Sequence, residues 1–207
     1  MQQSISQSQI SSDTVEDALK TYLTRFEDVA NLQVVGGYHD HLLPAQGFSY
    51  FIGLDEGGAQ QYYWRRVDHD LQSHGQLPAN AWSEWLKIDT AIRPDSGLVK
   101  LVIFKTRLHV VWLESKTVIQ GDTQQESRVY EVKIAHIRHD GTWSAPVAVT
   151  YDHTLDQFIE QQGSNALGMY CAEQQSENTL LLLFYVKGAT SNKNKSTPTW
   201  GGIFSPI

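Results

Sequence analysis

Apolar residues along this chain follow two different periods. Between residues 13 and 32, Val15, Leu19, Tyr22, Leu23, Phe26, Val29 and Ala30 recur at spacings of three and four, which puts them on one face of an α-helix. Asp13 with Glu16 three positions later fits a capping box, and Gly36-Gly37 supplies a stop once the pattern fades. The spacing predicts one long N-terminal helix with a buried face, then a connection over 37–47 that holds Pro44 and the run Tyr38-His39-Asp40-His41. From residue 48 the period falls to two, and Tyr, Val, Ile, Trp and Phe fill the apolar positions, as strands prefer. The fold class expected is mainly β, an antiparallel sandwich or partial propeller preceded by one long N-terminal α-helix.

A repeat emerges when the β segments are laid over one another. Residues 99–104 form a strand, Lys105-Thr106-Arg107 a tight turn, and 108–114 a returning strand with Leu108, Val110 and Trp112 on one face. A polar loop over 115–127 follows, then a third strand, 129–138, with Tyr130, Val132, Ile134 and His136 on one face. The turn His139-Asp140-Gly141-Thr142 leads into a short fourth strand, 143–150. Segments 61–70 and 81–89 resemble the third and fourth strands, with Trp82-Ser83-Glu84-Trp85 aligned to Trp143-Ser144-Ala145-Pro146, and 166–173 with 179–187 resemble the first two. A closed propeller takes about four to eight such four-stranded units, and at most two and a half are visible. The organisation read from this is a helical segment at 1–36, a connection at 37–47, a β domain at 48–187, and a polar loop with a truncated strand at 188–207. Both ends are expected to be cut from a longer chain.

Composition narrows the function classes. At 207 residues, with 41% hydrophobic and 19% charged residues, the chain is long enough for a full globular core. A net charge of −7 opposes any broad phosphate-binding surface, so nucleic acid is not expected as a partner. Residues 1–13 are rich in Gln and Ser and lack a basic stretch followed by an apolar one, so no signal peptide is expected. The longest apolar run, 180–186, is seven residues, against about 18 for a membrane helix, so no membrane span is expected. Cys171, the only cysteine, has no intrachain disulfide partner and reads as a packed thiol.

Candidate chemistry is sparse. Asp140-Gly141-Thr142-Trp143 sits where sialidases carry a turn-bracing Asp box, without the full spacing of that motif, and reads as a structural turn. Ile92-Arg93-Pro94 has the composition of a sialidase arginine segment in the wrong order, with no acid/base and tyrosine nucleophile set beside it. No catalytic residue is assigned. His39-Asp40-His41 and Asp68-His69-Asp70 are too short to close a set of three or four metal ligands, so no metal or other cofactor is expected. His136 shares its strand face with apolar residues and reads as a partly buried, hydrogen-bonded histidine. Among the six tryptophans, Trp112 and Trp143 read as packed inward, while Trp85 and Trp200 are the candidates for stacking on a sugar ring.

Several stretches then resemble a known family as a set. They are Gln3-Ser4-Ile5-Ser6-Gln7-Ser8-Gln9, Asp13-Thr14-Val15-Glu16-Asp17-Ala18, Phe26-Glu27-Asp28-Val29-Ala30-Asn31-Leu32 and Tyr38-His39-Asp40. Tyr50-Phe51-Ile52-Gly53, Tyr62-Tyr63-Trp64-Arg65, Val67-Asp68-His69, Asn80-Ala81-Trp82, Ala135-His136-Ile137-Arg138 and Asp140-Gly141 complete the set. In order, and over nearly the whole chain up to about residue 188, the sequence resembles the A component of insecticidal Tc (ABC-type) toxin complexes, where the helical shell gives way to the neuraminidase-like domain.

The resemblance implies a secreted, pore-forming homopentamer with a channel inside a helical shell, partnered by B and C components and by a host-cell surface glycan or receptor. It implies that this domain contributes to shell closure and to an electrostatic lock between protomers, without catalysis. Shell opening on a change of pH would then call on titratable groups, for which the sequence offers His136, His69, His39 and His41. Two other readings stay open, a carbohydrate-binding module for host attachment and, third, a glycosidase.

Overall fold

A computed structural model describes residues 16–17, 19–21, 23, 29–55, 57, 60–120, 125–149, 153–174, 176–188 and 198–204. The described residues form three antiparallel sheets taken in sequence order. The first holds β1 (Leu32–His39), β2 (Phe48–Asp55), β3 (Tyr62–Asp68) and β4 (Leu86–Lys87). The second holds β5 (Val99–Phe104), β6 (Arg107–Gln120), β7 (Gln125–His136) and β8 (Val147–Val149). After helix α1 (Thr154–Gln162), the third sheet holds β9 (Leu167–Gln174), β10 (Thr179–Val186) and β11 (Thr199–Phe204).

The leading strand of each sheet lies beside the next, β1 against β5 and β5 against β9. A two-sheet sandwich encloses one core, whereas here three sheets enclose two. The first core, between sheets one and two, gathers Tyr50, Ile52, Tyr62, Trp64, Val99, Leu101, Leu108, Val110, Trp112 and Trp143. The second, between sheets two and three, gathers Val102, Phe104, Val111, Leu113, Tyr130, Val132, Leu167, Met169, Cys171, Leu180, Leu182 and Phe184. Strand alternation explains the division, because successive side chains point to opposite faces. In β6, Leu108, Val110 and Trp112 face the first core while Val111 and Leu113 face the second. The middle sheet is therefore apolar on both faces, as doubly buried strands must be.

Four sequence expectations need correction. The long N-terminal helix is not shown. Asp13 and much of 13–32 lie outside the described residues. Glu16, Asp17, Leu19, Lys20, Thr21 and Leu23 have helical backbone, but Leu32 already belongs to β1. Leu19 and Leu23, expected on a buried face, are each 50% exposed, and among the described residues neither core contains one before Val35. Gly36 and Gly37 do not stop a helix. They sit inside β1 at a bulge, where a Cβ on Gly36 would come 3.2 Å from Ile52 Cγ2.

The polar loop expected at 115–127 is instead the outer part of a long hairpin, with β6 and β7 paired from His109↔His136 out to Gln120↔Gln125. Lys116–Glu131 and Lys133–Glu114 ion pairs run across it. Helix α1 was not anticipated. Its Leu155 and Ile159, four apart, are fully buried in the second core, Gly163 (φ +79°) ends it, and Asp156 Oδ1 accepts from the N–H of Tyr130 at 2.9 Å.

Candidate functional site

The turn after β7 is held by its own aspartate. Asp140 Oδ1 accepts from the N–H of Thr142 at 3.0 Å and from Thr142 Oγ1 at 2.7 Å, and these bonds hold the carboxyl below its ordinary range. Gly141 takes φ +85°, which L side chains rarely adopt, and the Arg138 N–H to Thr142 C=O bond of 2.8 Å closes the loop. Trp143 then enters the first core, 5% exposed, with its ring edge-on to Trp64 at 6.5 Å. The Asp140 carboxylate thus spends its hydrogen bonds on its own turn. Arg93 is exposed and lines a shallow cleft with Gln61, Tyr62, Thr90 and Ile92, and among the described residues the lining includes no carboxylate.

The structure brings His39 and His69 together around Ser49. His39 Nε2 lies 3.1 Å from the Leu43 carbonyl, which can only accept, so Nε2 donates there, and Nδ1 lies 3.0 Å from Ser49 Oγ. Ser49 Oγ is also hydrogen-bonded to His69 Nε2 at 2.7 Å, and the two rings meet edge to face at 5.2 Å. His41 is separate and exposed, with Nδ1 taking the N–H of Leu43 at 3.1 Å. Asp40 Oδ1 and Asp70 Oδ1 accept from the backbone N–H groups of Phe48 and Gly47 and so brace the same loop. Among the described residues no group of three or more His, Cys, Asp and Glu is placed to hold a metal ion.

A second histidine cluster lies at the β5–β6 hairpin, and most of it escaped the sequence reading. His136 is only partly buried, and its pKa is lowered by desolvation and by Arg107 and Arg138 nearby. Directly opposite it across the strands is His109, 8% exposed, at a ring separation of 5.4 Å and edge-on to Phe104 at 5.6 Å. Desolvation carries the His109 pKa down to about 4, partly offset by its Nδ1–H donating to the Arg107 carbonyl at 2.9 Å. Arg107 itself reaches His139 Nε2 through Nη2 at 3.1 Å and His136 Nε2 through Nη1 at 3.5 Å. The signal was present in the alternation, since a histidine at 109 between Leu108 and Val110 falls on the face that Val111 and Leu113 bury.

The two tryptophans proposed for stacking are both engaged. Trp85 packs over Gly53, where a Cβ would come 3.3 Å from its ring, and lies 5.3 Å from the Arg65 guanidinium. Trp200 Nε1 donates to Thr154 Oγ1 at 2.8 Å, and its ring meets Phe184 at 5.8 Å. The more open ring is Trp82, 39% exposed, stacked on Phe51 at 6.1 Å and with the Arg65 guanidinium 4.4 Å from its centroid.

Comparison with known proteins bears on the whole assembly of sheets. Residues 32–188 match the family described as the neuraminidase-like domain. The toxin subunit YenA2 of Yersinia entomophaga is 23% identical over 214 residues, an alignment that takes in 96% of this chain and 16% of YenA2. The cryo-EM structure of Morganella morganii TcdA4 is 34% identical with a TM-score of 0.75, over 96% of this chain and 8% of TcdA4. That of Yersinia pseudotuberculosis TcaA-TcaB is 23% identical with a TM-score of 0.49, over 72% of this chain and 8% of that one. The chain thus spans a small part of the length of each relative.

Proposed function

Since the chain belongs to the neuraminidase-like domain family, we propose that it serves a Tc toxin A subunit as a structural and interaction module, contributing to shell closure and pH-triggered opening without catalysis. The likeness to TcdA4 over nearly the whole chain carries this reading. The local chemistry is consistent with it. The sialidase-like turn is consumed in holding its own backbone, the described lining of the Arg93 cleft has no carboxylate, and glycoside hydrolysis ordinarily takes a pair of them. In the full-length subunit the partners are further copies in a homopentamer, the B and C components, and a receptor on the target cell, with the assembly acting outside the producing cell.

The test uses the intact A subunit that carries this segment. Electron microscopy across a pH series gives the midpoint of shell opening, and His136→Gln and His69→Gln are expected to shift it. Unshifted midpoints in both variants would sink the histidine trigger, and turnover of a fluorogenic sialoside by the wild-type chain would sink the non-catalytic part. A second reading, glycan binding, draws on the half-open Trp82 ring beside Arg65. It requires glycan-array binding that is lost in Trp82→Ala.

A further inference from the structure

Arg107 is exposed at the start of β6, and its guanidinium is divided between two imidazoles, His139 Nε2 at 3.1 Å and His136 Nε2 at 3.5 Å. Arginine has donors and no acceptor. Both Nε2 atoms must therefore accept, which makes both rings neutral in this arrangement, each carrying its proton on Nδ1. Protonation turns either acceptor into a donor and sets a second positive charge against the first. Arg107 cannot keep that contact in acid.

The groups around the cluster are Lys105 on the hairpin turn, His109 opposite His136, Arg138 and Asp140 on the turn after β7, and Glu173 on β9. Both carboxylates are engaged, Glu173 Oε1 by the Lys105 N–H at 2.9 Å and Asp140 Oδ1 by Thr142. Among the described residues no ion pair ties a carboxylate to Arg107. His109, with its pKa near 4 and its Nδ1–H fixed to the Arg107 carbonyl, stays neutral through mild acid and forms a wall of the site.

We propose that Arg107, His136 and His139 form a masked oxyanion site, closed at neutral pH by the two imidazoles and opened by mild acid, when their three donor groups converge on one anion. The ligand class is an oxyanion able to take several charge-assisted N–H donors at once, either a free sulfate-like ion or the carboxylate of a protein side chain. The site does not rest on the assembly reading, since it is complete within this chain.

Sulfate is the probe of choice because its charge does not change over the pH range used. Isothermal titration of the 207-residue chain at pH 7.5 and 5.5 is expected to show binding about tenfold or more tighter at the lower pH, because each imidazole that takes a proton exchanges an Nε2 acceptor for a charge-assisted donor to the anion. Proton uptake should accompany binding at pH 5.5. Arg107→Ala, on an exposed side chain, should abolish binding at both pH values, and His139→Gln, which keeps an acceptor that cannot titrate, should weaken the pH dependence. Competition by a glutamate-containing peptide would assign the site to protein carboxylates, and its absence would assign it to small oxyanions. Equal affinity at the two pH values, no binding at either, or wild-type binding by Arg107→Ala overturns the proposal.

Discussion

The backbone N–H of Trp143 donates to Asp89 Oδ1 at 3.0 Å across 54 residues of sequence, joining the turn of the second sheet to the segment that leads out of the first. The bond fixes where the Trp143 ring enters the first core beside Trp64. A hydrogen bond to a charged partner contributes about 1.5–3 kcal/mol when sheltered, and Asp89 is exposed. Asp89→Ala should therefore lower stability by about 1–2 kcal/mol and Asp89→Asn by less, read as a lower urea midpoint at unchanged slope.

The buried histidine makes stability depend on pH with a definite sign. His109 titrates near 4 in the fold and near 6.5 in the unfolded chain. Its contribution is fully present above about 6.5, and it is lost as pH falls toward 4 because only the unfolded state takes the proton readily. A shift of that size corresponds to roughly 3 kcal/mol at full extent. Urea midpoints measured from pH 7.5 to 4 should decline, and His109→Gln should flatten the curve, whereas a wild-type midpoint that does not move would refute the assignment.

Cys171 offers a probe of opening. It is 4% exposed in the second core, and burial pushes its thiol up to about 12. A thiol reagent at pH 8 should leave the native chain unlabelled and modify it fully in denaturant. Rapid labelling under native conditions would mean that sheets two and three separate readily.

Helix α1 should divide sharply by face. Ile159→Ala removes a fully buried side chain and is expected to cost about 2–5 kcal/mol. Gln157→Ala, on the exposed face two residues away, should change stability by less than about 0.5 kcal/mol. Thermal unfolding of the two variants beside wild type separates them.

The strands of the middle sheet were legible because both faces meet a core, so β-branched, aromatic and leucine residues fill most positions of 99–104 and 108–113 on either side of the polar turn Lys105-Thr106-Arg107. Outward of Ser115↔Tyr130 β6 and β7 leave both cores, and Lys116, Thr117 and Ser127 are paired strand residues that read as loop. Helix α1 hid because only Leu155, Phe158 and Ile159 carry its apolar face, among Gln, Glu, Asp and Thr. Gly36-Gly37 misled for a physical reason, since glycine serves a helix stop and a bulge alike. At the histidines, sequence reasoning weighed each residue on its own element, while the arrangement depends on pairings across strands, His39 with His69 through Ser49 and Arg107 with His136 and His139.

The parity of β6 also constrains how such a chain can drift. Leu108, Val110 and Trp112 must accommodate substitutions in the first sheet, while Val111 and Leu113 must accommodate those in the third. Neighbours in sequence are thus expected to vary independently, and residues two apart to vary together. The two halves of the molecule can accumulate compensating changes as separate lineages of mutation that run, interleaved, through one strand.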